Sequence, residues 1–204
     1  MTNRDRIDPS WDPLAASQQA DQNPDQPVDI PTPQWVISDT HLQHDQILDY
    51  CPWRRTWASS LPHHDATIIA AWQATVGPDD WVLHLGDVAL GDHQRLPALR
   101  AQLPGRIILI KGNHDRSRAA MAAAGFDCVL PAARIVNAER TWICRHNPAA
   151  FSTREAALAA RLLHGHSHGN GYRSDVHPTI VAKAKDCSLD ALLVHGPVPW
   201  DAVA

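Results

Sequence analysis

The sequence predicts an α/β fold in which two β-sheets pack against each other. In the first half of the 204 residues, short apolar runs alternate with amphipathic segments of helical period, as in a largely parallel sheet joined by helices. In the second half, short apolar runs follow one another more closely, which indicates a second sheet that includes a hairpin. Five of the apolar runs end in side chains that bind metal ions, at the edge where open α/β sheets bind ligands.

The first half is predicted to contain three strands and four helices. The strands are the apolar runs at residues 34–38, 80–85 and 106–111. The helices cover residues 46–50, 65–76, 93–103 and 116–124. Asp115 directly precedes the last helix, and its carboxylate is predicted to cap the amino end of that helix.

The second half is predicted to be richer in strands. Residues 127–130, 134–136 and 141–145 form short strands, and the turn between the last two indicates a hairpin. Ser152 and Thr153 are suited to cap a helix that ends at Ala160, and residues 161–164 form the next strand. Two weak strands are predicted at residues 179–182 and 192–194.

The length of the chain suits one domain, which we expect to cover residues 34–204. Residues 1–33 are rich in Asp, Gln, Asn, Pro and Ser and contain only isolated apolar residues. Such a segment buries too little apolar surface to fold alone. We therefore predict that residues 1–33 form a flexible tail.

The composition excludes several classes of protein. Hydrophobic residues make up 44% and charged residues 20% of the chain, and its longest apolar runs are far shorter than a bilayer span, so a membrane protein is not expected. The net charge is −4 and the basic residues are scattered, so extended nucleic-acid binding is not expected either. A small phosphorylated ligand remains compatible, because metal ions supply positive charge locally.

The first ten residues lack the apolar core of a secretory signal, so the cytoplasm is the expected compartment. The four cysteines are far apart and form no CxxC pair. We expect them to be reduced, buried thiols. The sequence does not indicate an oligomeric state.

Seven side chains at the predicted strand ends offer oxygen or imidazole ligands. Each short motif alone is weak, since a loop carboxylate, a helix cap or a surface histidine explains it equally well. Together they supply three oxygen and four nitrogen donors, which suit Mn, Fe, Zn, Co or Ni better than Ca or Mg. If Asp87 bridges two ions through its two oxygens, each ion receives four protein ligands. The seven are Asp39, His41, Asp87, Asn113, His146, His166 and His168.

The ordered motifs resemble those of the calcineurin-like metallophosphoesterases. The chain contains DxH at Asp39, GD at Asp87, GNH followed by an acid at Asn113, a lone His146 and GHxH at His166, in the family's order. The resemblance covers about residues 35–170 and implies a four-layer α-β-β-α sandwich of two mixed β-sheets flanked by helices. The family's acid after the catalytic histidine is Glu, whereas this chain has Asp115.

The resemblance also implies the role of each site residue. One metal ion would be held by Asp39, His41, Asp87 and His168, and the second by Asp87, Asn113, His146 and His166. His114 matches the family's catalytic histidine, which contacts the phosphate or protonates the leaving oxygen. Two divalent ions, most simply Mn, would activate a bridging water for in-line attack on phosphorus, so Asp87 also counts as catalytic.

The implied substrate is a small phosphomonoester or phosphodiester, with a nucleotide as the family tendency. Two alternatives stay open: a nuclease that acts on DNA or RNA, and an interaction module that keeps the fold without catalysis. Among residues outside the motifs, His44 is a candidate substrate or outer contact. Arg116, Arg145 and Arg173 are candidate phosphate clamps, although a solvated surface position is the simpler interpretation for each.

Overall fold

In the part of the chain that the structure describes, ten short strands and eight α-helices make up the fold. The computed structural model describes residues 10–138 and 140–204. The strands are β1 (Val28–Ile30), β2 (Trp35–Ile37), β3 (Trp81–His84), β4 (Arg106–Ile110), β5 (Cys128–Leu130), β6 (Ala133–Asn137), β7 (Arg140–Cys144), β8 (Arg161–His164), β9 (Ala184–Asp186) and β10 (Val198–Pro199). The helices are α1 (Pro13–Gln22), α2 (Ile47–Tyr50), α3 (Leu61–Thr75), α4 (Leu96–Arg100), α5 (Arg118–Ala123), α6 (Thr153–Leu158), α7 (Pro178–Val181) and α8 (Leu189–Leu192).

The strands form two mixed sheets of five strands each. The first sheet has the order β10-β2-β3-β4-β5, in which β2 to β5 are parallel and β10 is antiparallel. The second sheet has the order β1-β6-β7-β8-β9, in which only β6 and β7 pair antiparallel, as the predicted hairpin. The largely parallel first sheet confirms the alternation of strands and helices predicted for the first half.

The apolar side chains divide into three clusters that separate four layers. The central cluster lies between the sheets and includes Leu83 and Ile108 from the first and Ile135 from the second. A second cluster packs the outer face of the first sheet against α3, α4 and α5. A third packs Ile143 and Leu162 of the second sheet against α6 and α7. The α-β-β-α sandwich expected from the resemblance is therefore confirmed.

The N-terminal segment contradicts the predicted tail. Residues 10–33 contain α1 and β1, and β1 pairs with β6 in the second sheet. Ala16 and Ala20 of α1 are buried in the central cluster, and the Trp11 ring packs edge-on against Trp81 with centroids 5.1 Å apart. The predicted flexible tail is thus wrong for residues 10–33, and residues 1–9 lie outside the described part of the chain.

Two predicted strands near the C-terminus are also wrong. Residues 179–182 mostly belong to α7, which begins with Pro178 after the capping residue His177. Residues 192–194 lie at the end of α8, and the nearby strands are instead β9 and β10. Within the described ranges, none of the helices has both the length and the apolar character needed to cross a bilayer.

Candidate metal centre

The five predicted strand ends meet at one edge of the sandwich. Asp39 and His41 follow β2, Asp87 follows β3, and Asn113 and His114 follow β4. On the second sheet, His146 follows β7, and His166 and His168 follow β8. All of these residues come after the carboxyl ends of strands, so the topology alone brings both sheets' ligands together.

One group of ligand atoms belongs to Asp39, His41 and His168. Nε2 of His41 lies 3.2 Å from Nε2 of His168, and these atoms lie 3.7 and 3.4 Å from Oδ1 of Asp39. All three atoms fall within 4.8 Å of one another. Oδ2 of Asp87 also lies 3.6 Å from Nε2 of His41. The four residues thus converge on a single point at the edge of the first sheet.

The second group consists of Asp87, His146 and His166, with Asn113 beside it. Nε2 of His146 lies 3.2 Å from Oδ2 of Asp87 and 3.0 Å from Oδ1 of Asn113. The ligand atoms of Asp87, His146 and His166 lie within 4.8 Å of one another. One oxygen of Asp87, Oδ2, therefore faces both groups, whereas we expected each of its oxygens to face one ion.

Hydrogen bonding at the second group shows that these atoms suit a cation. Nδ1 of His146 lies 2.8 Å from the carbonyl oxygen of Leu85, which only accepts, so Nδ1 of the neutral ring carries the proton. Nε2 of His146 then presents a lone pair to two further acceptors, on Asp87 and Asn113. Three acceptors facing one another without a proton repel, and a divalent cation relieves that repulsion.

His41 indicates that the first group also suits a cation. Its Nδ1 is buried and has no hydrogen-bond partner among the described residues. The tautomer of His41 is consequently determined by what its Nε2 binds, and Nε2 faces Asp39, Asp87 and His168. With no thiolate in either group, the donor set suits a transition metal ion of intermediate hardness.

The metal-free site attracts protons. Burial lowers the pKa of His146, but contacts with the Asp87 and Asp39 carboxylates more than compensate and raise it to about 9. Burial likewise opposes protonation of His168, yet its hydrogen bond with Asp190 raises its pKa to about 10. Burial would raise the pKa of Asp39, whereas its contacts with His41 and the other imidazoles hold it well below the usual range. The carboxylates of Asp39, Asp87 and Asp190 therefore hold positive charge in the cluster.

The backbone at the site is strained at several of the candidate ligand residues. Asp39, His41, Asp87, His166 and His168 all have positive φ, between 47° and 68°. Only eight non-glycine residues in the described ranges have positive φ, so five of the eight belong to this cluster. Each such residue costs on the order of 1–3 kcal/mol, and such strain is concentrated at functional sites.

Two glycines allow the carboxylates to be approached closely. A Cβ atom at Gly165 would overlap Oδ2 of Asp39, and one at Gly112 would overlap Oδ1 of Asp87. The main-chain N–H of His166 instead donates to both Asp39 oxygens at 3.0 Å. Glycine is thus required immediately before the two ligand motifs that contain Asn113 and His166.

Asp115 organises two ligand loops and does not cap a helix. Its carboxylate accepts hydrogen bonds from the main-chain N–H groups of Asp87 and Val88 at 2.9 Å and of Gly112 at 2.8 Å. The cap of α5 is Ser117, two residues later. The predicted capping role of Asp115 is therefore wrong, and the residue fixes the loop that follows β3 against the loop that follows β4.

His114 lies above the cluster at the wall of a cleft of about 460 Å³. Its side chain is 39% exposed, and its Nε2 lies 4.0 Å from Oδ2 of Asp87. His44 lines the same cleft, with its ring centroid 6.0 Å from that of His114. Tyr50, which is 65% exposed, also lines this cleft, with its ring centroid 5.8 Å from that of His44. The cluster thus faces solvent through an opening that admits a small molecule.

The three candidate arginine clamps are not in this cleft. Arg145 pairs with Glu155 at 2.9 Å, and Arg173 lies 3.4 Å from Asp175. Arg116 lines a small neighbouring cavity beside His114. Within the described part of the chain, no arginine or lysine lines the 460 Å³ cleft.

Sequence reasoning missed three residues behind His168. Asp190 of α8 accepts from Nδ1 of His168 at 2.6 Å, Arg54 pairs with Asp190, and Sγ of Cys51 lies 3.4 Å from the same Nδ1. None of the three belongs to a ligand motif. His64 is a buried partner of Arg54, with its Nε2 3.0 Å from Nη1 of the guanidinium.

Proteins similar in sequence to this chain include one from a phage and one from an archaeon. The protein of gene 66 from Mycobacterium phage L5 is 39% identical over 84 residues, which cover 40% of this chain and only 39% of the phage protein. The uncharacterized protein MJ1445 from Methanocaldococcus jannaschii is 28% identical over 172 residues, covering 83% of this chain and 88% of that protein.

The crystal structure of AQ665 from Aquifex aeolicus, a protein of unknown function, has the same fold. That structure superposes with a TM-score of 0.62 at 20% identity and covers 85% of this chain and 97% of its own. The model of the calcineurin-like phosphoesterases matches residues 32–201, which include every ligand motif described above. The chain therefore belongs to the calcineurin-like phosphoesterase family.

Proposed function

We propose that the protein is a metal-dependent phosphoesterase that hydrolyses a small phosphomonoester or phosphodiester. The observation that carries this proposal is the position of Oδ2 of Asp87, which faces both ligand groups and also lies 4.0 Å from the His114 ring. The metal-ligand atoms and the His114 imidazole therefore face the same cleft. Membership of the family favours the same reaction class.

The ligand groups would each hold one divalent ion. Asp39, His41, Asp87 and His168 would bind the first ion, and Asp87, Asn113, His146 and His166 the second; Mn²⁺ is the ion we favour. Bound ions of this kind supply Lewis acidity, neutralise phosphate charge and lower the pKa of water. Asp87 is catalytic in this scheme because its carboxylate spans the two groups.

His114 would act on the substrate directly. It is the exposed histidine next to Asp87, and its main-chain N–H donates to Oδ1 of that carboxylate at 2.9 Å, which fixes the turn. From this position the imidazole can donate a proton to the leaving oxygen or a hydrogen bond to the phosphate. His44 beside it would contact the substituent of the phosphate.

The cleft favours a small substrate. Its volume of about 460 Å³ is within the range of small-molecule sites, roughly 300–1,000 Å³. Ile47, Tyr50 and Leu90 are among the residues that line it, and they offer apolar and aromatic contacts to a substituent such as a nucleoside. Extended nucleic-acid binding is disfavoured, because the net charge is −4. All four cysteines are free and buried, which is consistent with the cytoplasm as the proposed compartment.

The test is hydrolysis of p-nitrophenyl phosphate and bis-p-nitrophenyl phosphate by the full chain with Mn²⁺, Ni²⁺ or Zn²⁺. We expect turnover of at least one ester and its loss in Asp87→Asn, with the variant still folded. Turnover of neither ester by metal-loaded protein would contradict the proposal and favour an interaction module. Faster cleavage of an oligonucleotide than of a mononucleotide diester would favour the nuclease instead.

A further inference from the structure

The carboxylate of Asp190 contacts the side of the His168 ring that faces away from the ligand group. Oδ2 of Asp190 lies 2.6 Å from Nδ1 of His168, whereas Nε2 of the same ring lies 3.4 Å from Asp39. A carboxylate only accepts hydrogen bonds, so Nδ1 of His168 carries a proton and donates it to Asp190. The lone pair of a neutral His168 is then on Nε2, directed at Asp39 and His41.

Arg54 holds this carboxylate from its other side. Its side chain is completely buried, and all five of its N–H groups have acceptors. Nε and Nη2 donate to the two oxygens of Asp190 at 3.0 and 2.6 Å. The remaining three donate to the carbonyl oxygens of Asp39 and Thr40 and to Nε2 of His64, at 2.6, 3.0 and 3.0 Å. A bidentate guanidinium pair of this kind fixes the orientation of a carboxylate.

The main chain around Asp190 is anchored to the strand end that carries Asp39. Ser188 forms a parallel bridge with Ser38, and the N–H of Leu189 donates to the carbonyl oxygen of Ser38 at 3.3 Å. Ser188 caps α8, and Leu189 is fully buried. Asp190 is therefore positioned relative to the ligand group by backbone pairing as well as by Arg54.

Asp190 is not placed to bind a metal ion of its own. Cys51, His168 and Asp190 bring three donor atoms within 4.8 Å of one another. However, both oxygens of Asp190 already accept from the Arg54 guanidinium, so a cation among these three atoms would meet a buried positive charge. Sγ of Cys51, at 3.4 Å from Nδ1 of His168, is a weaker acceptor than the carboxylate.

We propose that Asp190 is a positioning residue that presents Nε2 of His168 to the metal ion, and that Arg54 holds Asp190 in place for this role. Outer carboxylates that accept from a metal-bound histidine fix its ring and raise its basicity, and their loss typically costs about 10- to 100-fold in metal affinity. This role presupposes the metal-dependent function proposed above. It adds two residues, 136 positions apart in sequence, to the determinants of that function.

Calorimetric titration of the metal-free full chain with Mn²⁺ tests the role. Asp190→Asn is nearly isosteric and still accepts from His168, but it lacks the negative charge. We expect one Mn²⁺ site to weaken about 10- to 100-fold and the other to stay within about twofold. The matched control is Asp127→Asn, since Asp127 also pairs with a partly buried arginine, Arg100, at 3.2 Å, but at the amino end of β5. The control should bind Mn²⁺ like the unsubstituted protein.

A second measurement remains decisive if Asp190→Asn does not fold. In the unsubstituted chain labelled with ¹⁵N-histidine and loaded with Zn²⁺, His168 should coordinate through Nε2 and show a hydrogen-bonded Nδ1–H. Coordination through Nδ1, or undiminished Mn²⁺ affinity in folded Asp190→Asn, would overturn the role of Asp190. Failure of the unsubstituted chain to bind Mn²⁺ would instead overturn the proposed function itself.

Discussion

The main-chain N–H of His114 donates to Oδ1 of Asp87 at 2.9 Å, while the His114 ring reaches to 4.0 Å from Oδ2 of the same carboxylate. The residue therefore has two separable parts. Its backbone holds the carboxylate that both ligand groups share, and its side chain faces the cleft. A substitution at His114 changes the side chain in the cleft and leaves the main-chain hydrogen bond to Asp87 intact.

His114→Ala should consequently reduce turnover without removing metal. We expect kcat on an aryl phosphoester to fall about 10²- to 10⁴-fold, which is the usual contribution of a proton donor or phosphate contact. Metal content per chain, measured by inductively coupled plasma mass spectrometry, should be unchanged. His63→Ala, at an exposed histidine in the first turn of α3, is the control and should retain full activity. A full rate in His114→Ala would exclude the proposed role.

Gly165→Ala should weaken the site through packing alone. The added Cβ would overlap Asp39 and Ser38, so the loop or the carboxylate must move. We expect the free energy of unfolding to fall by about 1–3 kcal/mol and Mn²⁺ binding to weaken. At Gly77, an added Cβ would lie 3.3 Å from Oδ2 of Asp80, so Gly77→Ala should change the free energy by only about 0.5 kcal/mol. Equal effects of the two substitutions, measured by urea unfolding, would contradict this explanation.

The candidate ligands could be brought together from the sequence because each lies directly after a short apolar strand. Asp39, Asp87 and His166 need only local sequence to be recognised, and the parallel topology then brings them together. Asp190 and Arg54 could not be predicted in this way. Their pairing joins a short 3₁₀ helix of the first half, Pro52–Thr56, to α8 near the C-terminus, and neither residue stands in a pattern that distinguishes it from a surface charge.

The errors elsewhere also have physical causes. The buried side of α1 consists of Ala16 and Ala20, whose small side chains give little hydrophobic periodicity. At α7, the β-branched run Thr179, Ile180 and Val181 favoured a strand. His177 as the cap and Pro178 at the first helical position favour a helix, and this local signal prevailed in the structure.

Metal binding should release protons from the cluster. Near pH 7.5 the metal-free protein keeps His146 and His168 protonated, because their pKa values are about 9 and 10. Each ring must lose a proton before Nε2 can bind a metal ion, so affinity for Mn²⁺ should rise with pH up to about 9–10. Calorimetric titrations in buffers of different ionisation enthalpy measure the number released. Binding without proton release at pH 7.5 would mean that these two rings are not ligands.

His84 should make the fold sensitive to acid. Its Nδ1 accepts from the N–H of Gly86, and its Nε2 donates to the hydroxyl of Thr40, which itself donates to the carbonyl oxygen of Val88. The contact with Gly86 requires the neutral ring, because a protonated Nδ1 cannot accept a hydrogen bond, and burial lowers the pKa of His84 to about 3. A histidine titrates near pH 6.5 when unfolded, so the unfolded state binds more protons between pH 6.5 and 3.

The stabilisation from His84 is thus complete above about pH 6.5 and is lost as the pH falls toward 3, by up to about 1.4 kcal/mol per pH unit. His84→Gln keeps a donor near Thr40 but does not titrate. In metal-free protein, the free energy of unfolding should therefore fall less steeply for the variant than for the unsubstituted chain between pH 6.5 and 4. Parallel curves for the two proteins would show that another group is responsible.

The N-terminal helix should be necessary for stability. Ala20 lies on the face of α1 that packs into the central cluster and is completely buried, whereas Ala15 on the same helix is exposed. Ala20→Asp would place a carboxylate in an apolar environment without a partner and should reduce the free energy of unfolding by at least about 2 kcal/mol. Ala15→Asp makes the same chemical change at an exposed position in the first turn of α1, where a carboxylate is tolerated, so it should cost less than about 1 kcal/mol. Thermal and urea unfolding of both variants compares them directly.

If Ala20→Asp were as stable as Ala15→Asp, α1 would not pack on the central cluster in solution. The flexible tail predicted from composition would then be the better description of residues 10–33.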